Sequence, residues 1–305
     1  MELRHLRYFV AVAEEGSLLA AAQRRLHTSQ PSLSRQIRDL ESEVGVKLLE
    51  RQARGVALTA AGKVFFDHAR LALLQVDAAI DGARRTEQPA KVALSMGFLA
   101  GQEVVWLPHA LRILREEAPE AEITFSSQSS PELALGLIRR TLDVAFLRRE
   151  TPANGLSFKS LVKEPLIAVL PAGHRLTARK KIRPQDLARE TYVSSARTSP
   201  VLKAVIQGYA LKTGIVLKAK YEGENLPAAM SLVTSTGGVT LIPLYAQNML
   251  TPNVVARALD GAPPTIELTL GYNSASPSPL LARFLSRADE LVANVEDQSV
   301  MRYAV

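Results

Sequence analysis

The stretch from Ser29 to Gly45 constrains the fold more than any other part of this chain, because its apolar side chains recur every three or four residues. That spacing is typical of one buried face of an α-helix. Ser29 is a favoured N-cap, and a glycine such as Gly45 commonly ends a helix. The stretch is therefore predicted to form one amphipathic helix. Its apolar positions are Leu33, Ile37, Leu40 and Val44.

The opposite face of this helix carries side chains that suit sequence reading in DNA. Glutamine can form paired bonds to adenine, arginine can do so to guanine, and serine can bond a base edge or a phosphate. They lie mainly toward the helix N-terminus, the end that a recognition helix inserts into the major groove. We therefore expect this helix to bind double-stranded DNA. The residues are Gln30, Ser34, Arg35 and Arg38.

The surrounding elements complete a winged helix-turn-helix. An amphipathic helix is predicted over 3–13, a short helix follows Ser17, and residues 27–28 form the turn before the recognition helix. Strand-like residues over 46–58 predict a hairpin, the wing, with Arg54 near its tip. Arg54 could enter the adjacent minor groove or stay solvated. The whole region could instead be a helical hairpin used for protein contacts.

Total charge contributes little to this prediction. The formal net charge is +7, yet residues 1–89 hold 13 Lys and Arg against 11 Asp and Glu. The absence of cysteine excludes disulfides and thiolate metal sites. The first residues lack the apolar core of a signal peptide, and no apolar run reaches the roughly 18 residues that span a bilayer. A cytoplasmic protein without a membrane partner is expected.

The stretch from Thr59 to about Arg85 contains no proline and repeats apolar residues in heptads. Such a pattern predicts a long helix that pairs with the same helix of a second subunit. The dimer would present two recognition helices to a pseudo-palindromic operator. Alternatively, the apolar stripe packs on its own domain. Its residues are Phe66, Ala69, Leu73, Val76, Ile80 and Ala83.

After Pro89, strand-like apolar runs alternate with helical stretches. This alternation favours α/β layers with largely parallel sheets. The runs cover 92–98, 123–127, 143–147, 166–170, 215–221, 239–242 and 266–272.

The string AQRRLHTSQPSLSRQIRDLESEVGVKLLERQARGVALTAAG resembles the signature of the LysR-type transcriptional regulators. SQPSLSRQIRDLE and LTAAG match the usual motif, whereas Leu49 stands for a usual Phe and Val44 for a usual Leu. One additional residue lies between Ala22 and Leu26, where we expect a local bulge in the second helix. Weaker resemblance continues through GFLAGQE, LDVAFLR, EPLIAVLPAGHRL and GGVTLIP, and is greatest to regulators of aromatic-acid breakdown.

The resemblance implies an α/β chain in three parts. These are a winged helix-turn-helix over 1–58, a long linker helix over 59–88, and a two-lobed effector domain over 89–305 that resembles periplasmic binding proteins. Lobe I would take about 91–162 and 268–305, and lobe II about 163–267. The resemblance also implies a homotetramer, RNA polymerase as a further partner, and DNA contacts by Gln30, Pro31, Ser34, Arg35 and Arg54.

In such folds, ligands sit in the cleft between the lobes, at the carboxyl ends of strands. Hydroxyl groups, helix N-termini and an arginine there would hold a carboxylate, so a small organic acid is the expected effector. Arg148 could instead form a surface ion pair, each Ser or Thr could simply cap a helix, and many related proteins keep a serine in place of Gly101. The candidates are Gly101, Gln102, Ser129, Ser130, Arg148, Ser195, Arg197, Thr198 and Asn225.

The sequence predicts no catalytic residue, no metal site and no cofactor. The histidines at 5, 27, 68, 109 and 174 are scattered, with no H-E-x-x-H pair, G-x-S-x-G elbow or Walker loop. A ligand-responsive transcription regulator is therefore favoured. Two alternatives stay open, an architectural DNA-binding protein without a sensor and an enzyme with a DNA-binding head.

Overall fold

The computed structural model describes residues 1–52, 55–86, 92–149, 155–195, 198–275 and 277–303. The chain divides into two compact units, Met1–Glu87 and Gln88–Val305. Each unit has its own cluster of buried apolar side chains. Within the described ranges, no helix is both long and apolar enough to cross a membrane.

The recognition helix of the first unit begins and ends where the sequence predicts. The Ser29 hydroxyl accepts a hydrogen bond from the Ser32 amide at 3.4 Å, and Gly45 ends the helix in the left-handed conformation with φ 80°. The unit consists of α1 (Leu3–Glu15), α2 (Leu18–Ala20), a π-helical turn (Ala21–Arg25), α3 (Gln30–Val44), β1 (Leu49–Gln52), β2 (Gly55–Leu58) and α4 (Ala60–Thr86).

The apolar stripe of α3 belongs to a core shared with α1 and α4. Leu33 and Leu40 are fully buried. Phe9 of α1 meets Phe65 and Phe66 of α4 edge to face, with ring centroids 5.2 and 6.5 Å apart. This packing fixes which side of α3 faces solvent.

The additional residue of the second helix is absorbed by the π-helical turn. The Leu26 amide donates to the Ala21 carbonyl, five residues back instead of four, at 3.0 Å. Ala21 and Ala22 stay fully buried, while residues 23–25 are exposed. The expected bulge is therefore confirmed, and it leaves the buried side of the helix intact.

The heptad stripe of α4 has two environments. Ala69 is buried, and Phe66 and Leu73 pack against the core of the first unit. Ile80, which lies about two helical turns beyond Leu73, is 44% exposed. The first half of the stripe thus packs on its own domain, and the second half presents apolar surface to solvent.

The second unit alternates strands and helices. Its strands are β3 (Ala93–Leu99), β4 (Glu122–Gln128), β5 (Val144–Leu147), β6 (Leu156–Pro171), β7 (Lys181–Ile182), β8 (Tyr192–Ser194), β9 (Ala219–Glu222), β10 (Thr240–Pro243), β11 (Val254–Leu259) and β12 (Thr265–Asn273). Its helices are α5 (Glu103–Glu117), α6 (Ser130–Ile138), α7 (Pro184–Leu187), α8 (Pro200–Thr213), α9 (Leu226–Thr236), α10 (Pro279–Ser286) and α11 (Ala288–Tyr303), with 3₁₀ turns at Arg175–Ala178 and Leu244–Met249.

The main sheet is mixed, so the prediction of largely parallel sheets is wrong. Its order is β4, β3, β5, β12, β6, β11, β7, with β10 also on β6. β3 is parallel to β4 and β5, but β12 is antiparallel to β5 and β6, and β6 is antiparallel to β10 and β11. The reason is the path of the chain, because β6 carries it from the first lobe to the second and β12 carries it back.

Two predicted strands have different bounds. The run at 166–170 is the second half of the much longer β6, and the run at 215–221 is a strand only from Ala219 onward. Residues 215–218 instead form a loop after Gly214, which ends α8 in the left-handed conformation. Apolar content alone does not separate a loop from a strand.

The paired strands β6 and β12 join two lobes with separate cores. Their ladder runs from Leu156 opposite Asn273 to Pro165 opposite Thr265. The core of the first lobe includes the stacked rings of Phe98 and Phe146, 4.7 Å apart, and the core of the second includes Tyr192.

Candidate functional site

The polar face of α3 is open to solvent. Gln30, Pro31, Arg35 and Arg38 are exposed and Ser34 is partly exposed. The structure therefore brings the predicted recognition-helix residues together on one surface. The remaining predicted DNA contact, Arg54, lies outside the described residues.

Neither arginine of this face is held by a strong ion pair. The Arg35 Nε lies 4.0 Å from Asp39 Oδ2, and the Arg38 Nε donates to the Ser34 carbonyl at 3.3 Å. An exposed pair of this kind contributes about 0.3–0.5 kcal/mol. A paired arginine–guanine contact contributes about 1–3 kcal/mol of discrimination against the wrong base. Both guanidinium groups can therefore exchange their present partners for DNA.

Thr59 and Gly62 of the string LTAAG contact the residues at the base of the wing. The Thr59 hydroxyl donates to the Lys47 carbonyl at 2.8 Å, and the Thr59 amide donates to the Leu48 carbonyl at 3.0 Å. A side chain at Gly62 would place its Cβ 1.9 Å from the Leu48 carbonyl oxygen. The glycine is thus required by close backbone approach between α4 and the strand that begins the wing.

The lobes of the second unit enclose a cavity of about 300 Å³. The first lobe contributes the loops after β3 and β5 and the start of α6. The second lobe contributes the segments after β8, β9 and β10. The lining residues are Leu99, Ala100, Gln128, Ser129, Glu132, Arg148, Ser195, Thr198, Ser199, Leu202, Glu224, Asn225, Leu226, Pro243 and Tyr245.

Five of the nine predicted effector residues line this cavity, namely Ser129, Arg148, Ser195, Thr198 and Asn225. Arg197 lies outside the described residues. Gly101, Gln102 and Ser130 do not belong to the lining, and their assignment to the effector site stays a prediction.

Each of these three residues has a packing or hydrogen-bonding role in the surrounding structure. A Cβ on Gly101 would lie 2.4 Å from the Met249 sulfur, so the glycine makes room for Met249. Gln102 is 1% exposed, and its side chain accepts from the Trp106 indole at 2.9 Å. The buried Ser130 hydroxyl accepts from the Arg148 amide at 3.0 Å. The position of these residues after a strand predicted where they lie in the fold, but it did not predict which way their side chains point.

Arg148 is a buried cation at the cavity, only 3% exposed. Its Nη2 lies 3.7 Å from Oε1 of Glu164, a carboxylate on β6 that the sequence prediction missed. Burial raises the pKa of Glu164, against the opposing effects of Arg148, the Tyr245 amide and the Gln102 side chain. The 3.7 Å separation from Glu164 exceeds a hydrogen bond, and the Arg148 side chain also forms a hydrogen bond with the side chain of Tyr245.

Tyr245 contacts both lobes and was also missed. Its hydroxyl donates to the Ala100 carbonyl at 3.0 Å, and its amide donates to Glu164 Oε2 at 2.7 Å. Burial raises the pKa of Tyr245 to about 12, so the ring stays neutral and its hydroxyl remains a donor. The signal available in the sequence was an aromatic residue that follows the apolar run GGVTLIP after one intervening leucine.

Several polar residues of the lining also serve the local fold. The Asn225 side chain caps α9 by accepting from the Ala228 amide at 2.9 Å. The Ser195 hydroxyl donates to the Leu241 carbonyl at 3.2 Å, and the Thr198 hydroxyl to the Glu224 carbonyl at 3.0 Å. These bonds fix the loops that form one wall of the cavity.

Glu132, in the first turn of α6, is likewise engaged in hydrogen bonds. Glu132 accepts hydrogen bonds from the Ser129 hydroxyl at 2.7 Å and the Ser129 amide at 2.9 Å. These bonds lower the pKa of Glu132. Glu132 lines the same cavity as Arg148, but its carboxylate is bound by the Ser129 cap of α6. Among the residues that the structure describes, no group of acidic and histidine side chains could hold a metal ion.

Comparison with known proteins assigns both units to one family. Residues 3–63 match the bacterial regulatory helix-turn-helix protein, lysR family, and residues 88–293 match the LysR substrate binding domain. The chain belongs to the LysR family of transcriptional regulators. The helix-turn-helix of this LysR-type regulator is its DNA-binding part, and the two-lobed unit is its effector-binding part.

Relatives align with this LysR-type regulator over nearly its whole length. It is 39% identical to the Hca operon transcriptional activator HcaR of Escherichia coli (strain K12), covering 97% of this chain and 99% of that protein. It is 33% identical to the HTH-type transcriptional regulator AlsR of Bacillus subtilis (strain 168), covering 93% and 94%. The crystal structure of CbnR, a LysR family transcriptional regulator, has 28% identity and a TM-score of 0.57, covering 94% of this chain and 100% of CbnR.

Proposed function

We propose that this regulator reads its operator with Gln30, Pro31, Ser34, Arg35 and Arg38 of the recognition helix and Arg54 of the wing, and that a small aromatic carboxylate bound between the lobes controls it. The observation that carries the effector class is the buried guanidinium of Arg148 at the cavity. A carboxylate is the natural partner of a buried arginine in a site of low dielectric.

The aromatic part of the proposal rests on the apolar side of the cavity and on the resemblance to regulators of aromatic-acid breakdown. Leu99, Leu202, Leu226 and the ring of Tyr245 line the space beside Arg148. Apolar walls with a few converging polar groups are typical of small-molecule sites. A ring with one carboxylate matches this distribution.

The proposed assembly is a dimer through α4, with two dimers in a homotetramer, acting in the cytoplasm on a pseudo-palindromic operator. The exposed second half of the apolar stripe on α4, including Ile80, supports pairing of this helix. As an activator, the protein would use RNA polymerase as a further partner. Its role is regulation and not turnover of the effector.

The test is a thermal-unfolding screen with benzoate, cinnamate and 3-phenylpropionate against their amides. We expect at least one carboxylate to raise the unfolding temperature of the wild type, and the matching amide to leave it unchanged, because Arg148 selects the charge. Arg148→Met and Arg148→Lys should lose the shift. Arg149→Met should keep it, since this neighbouring arginine is exposed and lies over the Phe158 ring.

An equal shift in the wild type and in the Arg148 variants would contradict the site. No shift with any carboxylate, together with normal operator binding, would favour an architectural protein without a sensor. Disappearance of the carboxylate with formation of a product would favour an enzyme.

A further inference from the structure

Glu41 is a buried carboxylate on the recognition helix that does not belong to the DNA-facing surface. It is only 7% exposed. Its Oε1 accepts hydrogen bonds from the amides of Leu48 at 2.9 Å and Leu49 at 3.1 Å. Its Oε2 accepts from the Lys47 ammonium at 2.6 Å. One side chain of α3 thus binds three successive residues at the start of the wing.

The same residues are held from their other side by the start of α4. The Thr59 hydroxyl and amide bind the carbonyls of Lys47 and Leu48, and Gly62 allows α4 to lie against the Leu48 carbonyl. The amides of Leu48 and Leu49 therefore face α3, and the carbonyls of Lys47 and Leu48 face α4. The base of the wing is fixed between two helices by polar contacts on both edges.

We infer that Glu41 is a positioning residue for DNA binding, which sets the wing relative to the recognition helix without touching DNA itself. The inference rests on the proposed function in one respect, that the wing contacts the operator. Two DNA-contacting elements gain affinity from being held at a fixed separation, because less conformational freedom is lost on binding.

The chemistry of the clamp requires an ionised carboxylate. Two amides converge on one oxygen and an ammonium on the other, and charge-assisted bonds of this kind are about twice as strong as neutral ones. Burial opposes ionisation of Glu41, but the hydrogen bonds from Lys47 and from the amides of Leu49 and Leu48 outweigh it and lower the pKa. A glutamine would place an NH₂ group against these donors.

The first experiment compares Glu41→Gln with Glu43→Gln. Both remove one negative charge from the same helix, but the Glu43 side chain is 50% exposed. For Glu41→Gln we expect an operator Kd about tenfold higher and faster amide hydrogen exchange over 47–58, with exchange of α3 unchanged. Glu43→Gln should change neither. An operator Kd within twofold of the wild type for Glu41→Gln would overturn the inference.

A double-mutant cycle shows whether Glu41 acts through the wing. Combined with Arg54→Ala, Glu41→Gln should cost less than the sum of the separate losses; combined with Arg35→Ala, the losses should add. Full additivity with a measurable Arg54→Ala effect would contradict action through the wing. A silent Arg54→Ala would instead remove Arg54 from the proposed contacts, and the exchange and affinity of Glu41→Gln would still decide the role of Glu41.

If Glu41→Gln unfolds the first unit, the other edge of the clamp provides an equivalent test. Thr59→Val removes the hydroxyl at nearly constant volume, whereas Thr59→Ser keeps it. Thr59→Val should then raise the operator Kd and speed exchange over 47–58, and Thr59→Ser should restore both. Equal behaviour of the two Thr59 variants would contradict the clamp.

Discussion

The proposed DNA-reading surface takes its helical residues from positions 30–38 of one helix, whereas the inter-lobe cavity draws its lining from loops scattered between 99 and 245. The reading residues are exposed and have weak partners, such as the 4.0 Å contact between Arg35 and Asp39. Several cavity residues are instead buried or engaged in hydrogen bonds, as Arg148 and Ser195 are. Substitutions in the first region should therefore change binding alone, and those in the second should change stability as well.

The largest effect is expected at a backbone contact that supports the reading surface. Gly62→Ala forces a methyl group to within 1.9 Å of the Leu48 carbonyl oxygen. We expect the free energy of unfolding of the first unit to fall by about 3 kcal/mol or more. Gly208→Ala is the control, because Gly208 is an exposed position of α8 with no atom within 4 Å of the added Cβ.

Gly208→Ala should stabilise the second unit by up to about 1 kcal/mol. Urea unfolding of both variants measures the two values. A Gly62→Ala protein as stable as the wild type would show that the approach of α4 to the wing is looser than described.

Gln102 tests whether the cavity depends on residues beneath it. Gln102→Ala removes the acceptor of the Trp106 indole and a donor to Glu164. Unpaired buried polar groups should lower the stability of the second unit by about 2 kcal/mol. Gln128→Ala, at an exposed position of the lining, should change it by less than about 0.5 kcal/mol. A loss below about 0.5 kcal/mol for Gln102→Ala as well would mean that Gln102 is not structural.

Arg35 tests whether a substitution on the reading surface weakens DNA binding while leaving stability unchanged. Arg35→Ala should weaken operator binding about tenfold at fixed salt, while the unfolding temperature stays unchanged. Arg115→Ala removes the same charge from an exposed position of α5 and should leave operator binding unchanged. Fluorescence anisotropy with labelled operator DNA measures both. A loss that is equal for operator and unrelated DNA would reduce Arg35 to a phosphate contact.

The smallest effects concern two buried carboxylates with opposite pKa shifts. Glu41 has a lowered pKa, so its contribution to stability is present above the ordinary carboxyl pKa and is lost as pH falls through the lowered value. Glu164 has a raised pKa, so the folded state binds a proton first and loses stability as pH rises through the raised value.

The stability of wild type relative to each glutamine variant shows these trends. Below about pH 5 the stability difference between wild type and Glu41→Gln should grow with pH and above it stay constant, whereas the difference between wild type and Glu164→Gln should shrink as pH rises above about 4. Urea unfolding at several pH values measures both. Slopes of the same sign for the two variants would contradict the opposite pKa shifts of Glu41 and Glu164.

The comparison also explains what the sequence could predict. A helix with a buried stripe at 33, 37 and 40 has only one possible polar face, so local periodicity located the reading residues. The cavity required long-range information, because whether Gln102 points into it depends on Trp106 and Glu164. Strand order in the mixed sheet likewise depends on where β6 and β12 return the chain.

Buried partners were the residues that sequence reasoning missed. Glu164 and Tyr245 act through contacts with segments distant in sequence, and Glu41 acts on the start of the wing that follows its own helix. The pattern around each is that of an ordinary helix or strand. The additional residue before Leu26 was predictable as a bulge because the flanking buried positions must keep their side of the helix.

The most direct test of ligand control is the operator footprint and DNA bend of the full-length protein, measured with and without a saturating concentration of the carboxylate that most raises its unfolding temperature. We predict that the ligand changes both the protected region and the bend, and that Arg148→Met binds the operator but shows neither change. An identical footprint and bend with and without ligand in the wild type would contradict control of DNA binding from the inter-lobe cavity.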